Sequence, residues 1–291
     1  MYSIRPWRAS AGPVCNEEEF NMDFHNVIPS DRIPELFSVE GRVCLITGAG
    51  GLGETVARAF AHNGAKIALA NRTIEKADRV RDEILAEGGE CRSYQLDVKS
   101  LEDCRKVTDA VERDFGRIDI LIHTSAVAQV CDTLHPDDAE LKNTLETNFI
   151  GSVHINETVS AVMVKNGFGR IININSIDAF SVNCVDGMSY ACSKAALMQA
   201  TKNFAVSLAG KGVTVNGVAP VWIWTPMMAK RPGDYMKQAA ASVPMGRVSY
   251  AEDYLGMLFF LSSAASAYVT GQTFLVDGGW SVSRVFRYSD D

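Results

Sequence analysis

The sequence predicts an α/β fold, a doubly wound parallel β-sheet of about seven strands with helices packed on both faces. Three observations lead there. Short apolar runs alternate along the chain with longer segments of helical periodicity. The runs are apolar almost throughout rather than at every second residue, as strands covered on both faces must be. A glycine-rich turn joins the first run to the first helical segment, where a parallel sheet opens its ligand crevice.

The elements follow in order. Residues 1–38 show no sustained periodicity, and Pro6, Pro13, Pro29 and Pro34 break any helix, so this stretch reads as an irregular extension preceding one domain over 39–291. Val43 to Thr47 is the first strand, followed by glycines and a helix from Glu54 through Asn63. Lys66 to Ala70 is the second strand. Residues 73–87 place Ala77, Val80 and Ile84 on one helical face. Ser93 to Leu96 suits a third strand, and Ser100 can cap the helix whose Val107, Val111 and Phe115 face inward. Ile118 to Ile122 is the fourth strand, 138–166 one long helix, and 170–175 the fifth strand. A helix over 189–210, a strand from Val213 to Val218, a helix near 251–262 and a strand from Thr273 to Val276 complete the pattern.

Composition narrows the function. The chain has 291 residues, 47% hydrophobic and 22% charged, with 28 basic against 35 acidic residues and a net charge of -7. A mildly acidic chain is a poor match to nucleic acid or to an anionic membrane, which call for a basic footprint. No apolar run approaches a membrane span. The seven cysteines (15, 44, 91, 104, 131, 184 and 192) are scattered and never spaced as CxxC, which argues against a disulfide framework and a zinc site. They read as small residues in a reducing compartment, and the N-terminus lacks a signal-peptide pattern, so a cytoplasmic protein is expected.

Gly48-Ala49-Gly50-Gly51-Leu52-Gly53 satisfies GxGxxG between a strand and a helix, the context that gives the motif meaning. The glycines allow a tight turn, and the helix start offers free N–H groups and a positive dipole end to a pyrophosphate. A Rossmann-type dinucleotide site follows. The second strand ends at Asn71-Arg72 with no acid there to take the ribose hydroxyls, whereas Arg72 can pair with a 2′-phosphate. NADP(H) is therefore preferred, with NAD(H) left open. Tyr190 and Lys194 lie four apart on a helix and share a face. A tyrosine beside an ammonium and a nicotinamide ring is expected to favour its phenolate, and so to exchange a proton with a carbonyl or alcohol oxygen.

Seven motifs then stand in order: ITGAGGLG at 46–53, LDV at 96–98, NFIG at 148–151, IININS at 171–176, YACSK at 190–194, VTVNGVAP at 213–220 and VDGGW at 276–280. On these the chain resembles the short-chain dehydrogenase/reductase family from about Phe37 to Trp280. The resemblance implies an NAD(P)(H)-dependent oxidoreductase that interconverts a small-molecule ketone and alcohol. It makes Asn148 the residue that kinks a helix and holds a relay water, Ser176 the donor to the substrate oxygen, Tyr190 the general acid/base, and Lys194 the holder of the nicotinamide ribose. Asp97 and Val98 are implied near the adenine, and Thr225 near the carboxamide. Thr124 and Ser125 are implied beside the riboses, with Pro220 and Trp222 in the loop under the nicotinamide. It further implies a homo-oligomer, dimer or tetramer, joined through helices 138–166 and 189–210.

Three departures mark this chain within that resemblance. The glycine loop is one residue shorter than the family's TGxxxGxG, the usual Asn-Asn-Ala-Gly reads His123-Thr124-Ser125-Ala126, and the usual Pro-Gly is Pro220-Val221. His123 reads as a histidine hydrogen-bonded to backbone rather than as a catalyst. Trp222, Trp224 and Met227 offer an apolar wall to a substrate, and Asp178, two residues past Ser176, a carboxylate for its hydroxyl or amine. A ring-bearing or polyhydroxylated ketone is the implied substrate. Two other readings stay open: reduction coupled to a cyclisation or isomerisation, and a catalytically silent NADP(H) sensor.

Overall fold

The structure, a computed structural model, describes residues 32–128, 132–225 and 233–283. Cys15, Cys131 and Met227 lie outside the described residues, as does most of the N-terminal extension. The chain divides into two units, Met1–Leu36 and Phe37–Asp291. In the first, α1 (Ile33–Leu36) is a single helical turn with an Arg32–Glu35 ion pair. Pro34 was expected to break any helix; it stands instead in the first turn, where its missing N–H has no helical partner to lose.

In the second unit the elements are β1 (Val43–Thr47), α2 (Leu52–His62), β2 (Lys66–Asn71), α3 (Ile74–Ala86), β3 (Glu90–Gln95), α4 (Leu101–Phe115), β4 (Ile120–His123) and α5 (Asp138–Leu145). There follow α6 (Gly151–Asn166), β5 (Gly169–Ile174), α7 (Met188–Leu208), β6 (Val213–Pro220), α8 (Tyr235–Ser242), α9 (Leu255–Ser262) and β7 (Thr273–Val276). The seven strands form one sheet in the order β3-β2-β1-β4-β5-β6-β7, parallel at every junction.

Alternation along each strand divides the core into two layers. Cys44, Ile46, Ile67, Leu69, Ile120 and Ile122 face α2, α3 and α9, where they meet Val56, Phe60, Val80 and Leu258. Val43, Leu45, Ala68, Leu121 and Ile171 face the other way, onto α4, α6 and α7 through Val107, Val111, Ile155, Val159 and Leu208. Successive side chains of a strand point to opposite faces, so an uninterrupted apolar run fills both layers. Ala77, Val80 and Ile84 are all buried on α3 as the periodicity predicts, and the Ser100 hydroxyl caps α4 by accepting from the Asp103 N–H at 3.1 Å.

Outside the sheet, α2 and α3 are cross-linked by exposed ion pairs. Arg79 reaches Glu54 at 2.6 Å and Glu83 at 2.8 Å; Arg58 reaches Glu83 at 2.7 Å and also Glu87.

Several boundaries move, each for a hydrogen-bonding reason. β4 begins two residues late because the Asp119 carboxylate leaves the strand pattern to accept the Val43 N–H at 2.9 Å. The predicted long helix 138–166 is broken into α5 and α6 by a π-helical turn, Glu146–Ile150, in which the Gly151 N–H reaches back five residues to the Glu146 carbonyl. The helix predicted near 251–262 opens as a 3-10 turn (Ala251–Tyr254) before α9, and α7 likewise ends in one, Ala209–Lys211. The sequence reading left α8 out altogether.

The layer under the glycine turn is closed by Phe60, fully buried and stacked on Phe259 with ring centroids 4.3 Å apart. Phe60→Ala is expected to destabilise the domain by about 3–5 kcal/mol, read as a lower urea midpoint at unchanged slope.

Candidate active site

Between β1 and β4 the strand order reverses, which opens a crevice beyond their carboxyl ends. The glycine turn leaves β1 there. The Gly48 N–H is tied to the Ala70 carbonyl at 2.7 Å, and the Ala49 N–H to the Asn71 side-chain oxygen at 3.2 Å. Asn71 is therefore a support of the turn, and its amide also donates to the Thr73 carbonyl at 2.7 Å. Gly48 has φ 95° and Gly51 φ 51°, both in the region that favours glycine. A Cβ on Gly53 would stand 1.9 Å from the Gly48 carbonyl, and one on Gly48 would stand 2.5 Å from the Thr124 hydroxyl. No side chain caps the start of α2. The turn is thus backbone-only, with Leu52 buried beneath it. These features fit a dinucleotide pyrophosphate, which needs close backbone approach and unobstructed N–H donors.

Around the turn the predicted cofactor residues sort into supports and open groups. Thr124 supports it, donating its hydroxyl to the Thr47 carbonyl at 2.6 Å, while Ser125 follows with its N–H 3.4 Å from the position of a Cβ on Gly48. Arg72 is exposed, and its guanidinium has no acidic partner among the described residues. Asp97 turns inward to its own loop and accepts the Lys99 N–H at 3.0 Å. Val98 is buried against Gly151 at the start of α6. Pro220 ends β6 and is buried; the Thr225 methyl lies 3.7 Å from where a Cβ on Gly51 would stand.

On the catalytic side, the residues named from the resemblance converge. Ser176, directly after β5, is buried and donates its hydroxyl to Asp178 at 2.9 Å, while accepting the Asp178 N–H at 3.2 Å. Ser176 lies close enough to Tyr190 to lower the pKa of the phenol. The Lys194 ammonium, buried one turn along α7, lies 5.6 Å from the Tyr190 ring centroid and donates to the Ile174 carbonyl at 2.7 Å. Asn148 sits in the π-helical turn, fully buried. Its amide donates to the Val127 carbonyl at 2.8 Å and to the Ser193 hydroxyl at 3.0 Å, and its oxygen accepts the Val127 N–H at 2.8 Å. Ser193 in turn donates to the Tyr190 carbonyl at 2.7 Å, so Asn148 holds the helix that carries the tyrosine. Sequence reasoning missed Ser193. Its spacing of three from Tyr190 on a helix was the available signal.

Burial pushes the Tyr190 phenol up to about 12, against the downward pull of Ser176 and with help from the Asp178 carboxylate. Desolvation penalises the anion in the protein by itself, so the phenolate expected from the ammonium and the nicotinamide ring together depends on the bound dinucleotide. Burial also lowers Lys194 to about 8 and lifts the Asp178 carboxyl above its usual range. The reading of His123 is corrected. Its ring bonds side-chain hydroxyls, not backbone: Thr47 at 2.6 Å and Ser152 at 2.8 Å.

Beyond β6 the tryptophans are engaged by neighbours. The Trp222 indole N–H donates to Ser242 at 3.2 Å and its ring meets Tyr235 edge-on at 5.7 Å; Trp224 is tilted on Tyr250 at 6.4 Å.

A sequence model described as enoyl-(acyl carrier protein) reductase matches residues 48–281. The 3-oxoacyl-[acyl-carrier-protein] reductase FabG of Thermotoga maritima is 32% identical over 242 residues, spanning 83% of this chain and 98% of that protein. Gluconate 5-dehydrogenase of Gluconobacter oxydans is 32% identical over 254 residues, spanning 86% and 98%. The crystal structure of a gluconate 5-dehydrogenase from Burkholderia cenocepacia in complex with NADP and tartrate superposes with a TM-score of 0.81 at 29% identity, covering 85% of this chain and 98% of that one. Matches of this length and identity, on a seven-stranded parallel sheet with this crevice, establish that the chain belongs to the short-chain dehydrogenase/reductase family of NAD(P)-dependent oxidoreductases.

Proposed function

We propose that the protein interconverts a ketone and a secondary alcohol with NADP(H), Tyr190 exchanging the proton at the reacting oxygen. The observation that carries this reading is the convergence of Ser176, Tyr190 and Lys194, Ser176 and Lys194 buried and Tyr190 half-buried between them. The dinucleotide, when bound, supplies or takes the hydride. Gly48, Gly50, Gly51, Leu52 and Gly53 would hold its pyrophosphate, Asn71 and Arg72 its adenosine ribose, Asp97 and Val98 its adenine. Thr124, Ser125, Pro220, Trp222 and Thr225 would line the nicotinamide half, and Lys194 would hold its ribose.

A phenol held near 12 keeps its proton at neutral pH, which suits a general acid that protonates a ketone oxygen. Lys194, positive below about 8 and 5.6 Å from the ring, offers positive charge beside the phenolate that forms as the proton leaves. Asn148 sets the height of Tyr190 on its helix through Ser193.

Substrate choice rests on Asp178. Its carboxylate takes the one proton of Ser176. For Ser176 to donate to a carbonyl oxygen, that proton must turn away from Asp178, and a substrate hydroxyl two bonds along can replace it there. Exchange of one hydrogen bond for another favours a polyhydroxylated ketone over a plain one, because a buried acceptor left bare is costly. Trp222, Trp224 and Met227 complete the reading as the apolar wall of the pocket. The exposed guanidinium of Arg72, without an acidic partner among the described residues, favours the 2′-phosphate. Assembly as a homo-oligomer, dimer or tetramer, belongs to the same reading.

Tyr190→Phe is expected to lower kcat by about 10²–10⁴-fold while NADPH still binds, measured by fluorescence titration; turnover that survives refutes the mechanism. Arg72→Ala should raise the KM for NADPH about tenfold and leave that for NADH unchanged, since only the former loses a charge-assisted contact. Asp178 accepts a substrate hydroxyl most strongly as the carboxylate, and its pKa is raised. Hence kcat/KM for polyhydroxylated ketones should fall as pH drops through a limb above the ordinary carboxylate range, and Asp178→Asn should abolish that limb. A limb that persists in Asp178→Asn, or equal loss with a plain cyclic ketone, removes Asp178 from recognition.

A further inference from the structure

His123 is a fully buried titratable side chain that the chemistry above does not use. It ends β4, is 1% exposed, and pairs in register with Thr47, the residue that opens the glycine turn. Its two nitrogens meet two hydroxyls, Nδ1 with Thr47 at 2.6 Å and Nε2 with Ser152 at 2.8 Å. The Ser152 hydroxyl also lies 2.6 Å from the backbone carbonyl of Asn148, four residues back on the π-helical turn.

These distances fix every proton. A carbonyl only accepts, so the single proton of Ser152 goes to Asn148. Ser152 must then accept from the ring, which places the ring proton on Nε2. Nδ1 is left as an acceptor, and the Thr47 hydroxyl donates to it. The result is a one-way line, Thr47 to His123 to Ser152 to the Asn148 carbonyl. It continues through the Asn148 amide to Ser193 and the Tyr190 carbonyl. The line requires a neutral ring, since an imidazolium has no acceptor nitrogen. Burial and the nearby Lys194 charge hold the His123 pKa down to about 3, so the ring stays neutral.

We propose that His123 is a positioning residue that couples the glycine turn to the catalytic helix, so that occupancy of the dinucleotide site and the placement of Asn148 and Tyr190 report on each other through one buried hydrogen-bonded line. The ring touches neither substrate nor cofactor. It is the only polar link in the line that contacts both sides: Thr47 belongs to β1 and the turn, Ser152 to α6 and the π-helical turn. A well-ordered line lets backbone set at the turn be felt at the Asn148 carbonyl, because Thr47, the neutral His123 ring and Ser152 each have one side-chain proton to give and each gives it to the next member. Loss of any member leaves a buried hydroxyl or ring nitrogen unpaired on both sides of the gap, a cost that the turn and the helix share.

The inference rests on the proposed dinucleotide chemistry, and its test is chosen to stand apart from turnover. NADPH affinity is measured by fluorescence titration for Thr47→Val, Ser152→Ala and the double variant, in the wild-type and in the His123→Leu background. Ser152→Ala, on the far side of the ring from the turn, is expected to raise the NADPH Kd severalfold. The double variant should be no worse than the more severe single one, so that the coupling equals the smaller of the two single effects, severalfold in Kd. In the His123→Leu background the coupling should vanish. His123→Gln, which keeps one donor and one acceptor, should restore part of it. Where a carbonyl substrate is turned over, Thr47→Val should likewise lower kcat as well as raise the cofactor KM. Multiplicative effects of Thr47→Val and Ser152→Ala in the wild-type background overturn the proposal. So does a His123→Leu protein that melts earlier yet binds NADPH within about twofold of the original. If His123→Leu does not fold, the cycle in the wild-type background decides alone. A protein that reduces no carbonyl but shows the coupling in Kd refutes the reaction and leaves this inference standing.

Discussion

β1 and β4 lie side by side at the centre of the sheet, and the chain leaves their ends for opposite faces. That divergence is forced: β1 feeds a helix that returns to β2 on one side, whereas β4 feeds helices that return to β5 on the other. Two neighbouring strands whose continuations part cannot close over their own ends. The gap holds the glycine turn, and the residues beside it come from β1, β4 and the segment after β5. Thr47 and His123, opposite each other in the last register step, are the final paired residues before the gap opens.

Desolvation, rather than attraction between charges, sets the character of this site. Tyr190 is pushed up, Lys194 down and His123 far down, each chiefly by burial, and all three move toward their neutral forms. A site of this kind resists charge of either sign: Tyr190 keeps its proton, whereas Lys194 and His123 give theirs up more readily. Asn148 is satisfied inside, clamping both polar atoms of the Val127 backbone, whereas the Asn175 amide nitrogen and the Ser189 hydroxyl are buried with no partner among the described residues.

The sheet was legible in the sequence because strands buried on both faces leave an unbroken apolar run. Four of the seven strands, β2 to β5, also sit between helices that the sequence reading placed. The glycine turn was legible from its context, a strand before and a helix after. What escaped was set by hydrogen bonds that apolar patterning does not record. The π-helical turn adds one residue per turn inside a segment that still reads as helix, so 138–166 looked continuous. Asp119 shortens β4 by using its carboxylate for the Val43 N–H. Ser193 and Ser152 carry no apolar signal at all, yet they connect Asn148 to Tyr190 and to His123. The eight residues of α8 include three alanines and show too little apolar contrast to be placed. The upward push of burial on Tyr190 was not legible because the sequence shows which charges are near but not how much water is excluded.

The ion pairs that bind α2 to α3 stand in water, whereas the groups of the crevice are buried and mostly uncharged. Dissolved salt screens the first kind over about one nanometre at 0.1 M and hardly touches the second. Ionic strength therefore acts on this molecule unevenly. It loosens the grip of α2 on its outer neighbour, Arg79 and Arg58 letting go of their glutamates, while the inner face of α2 stays fastened by Phe60. The protein is in this sense built in two dielectric zones, a halo that answers to the medium and an interior that does not.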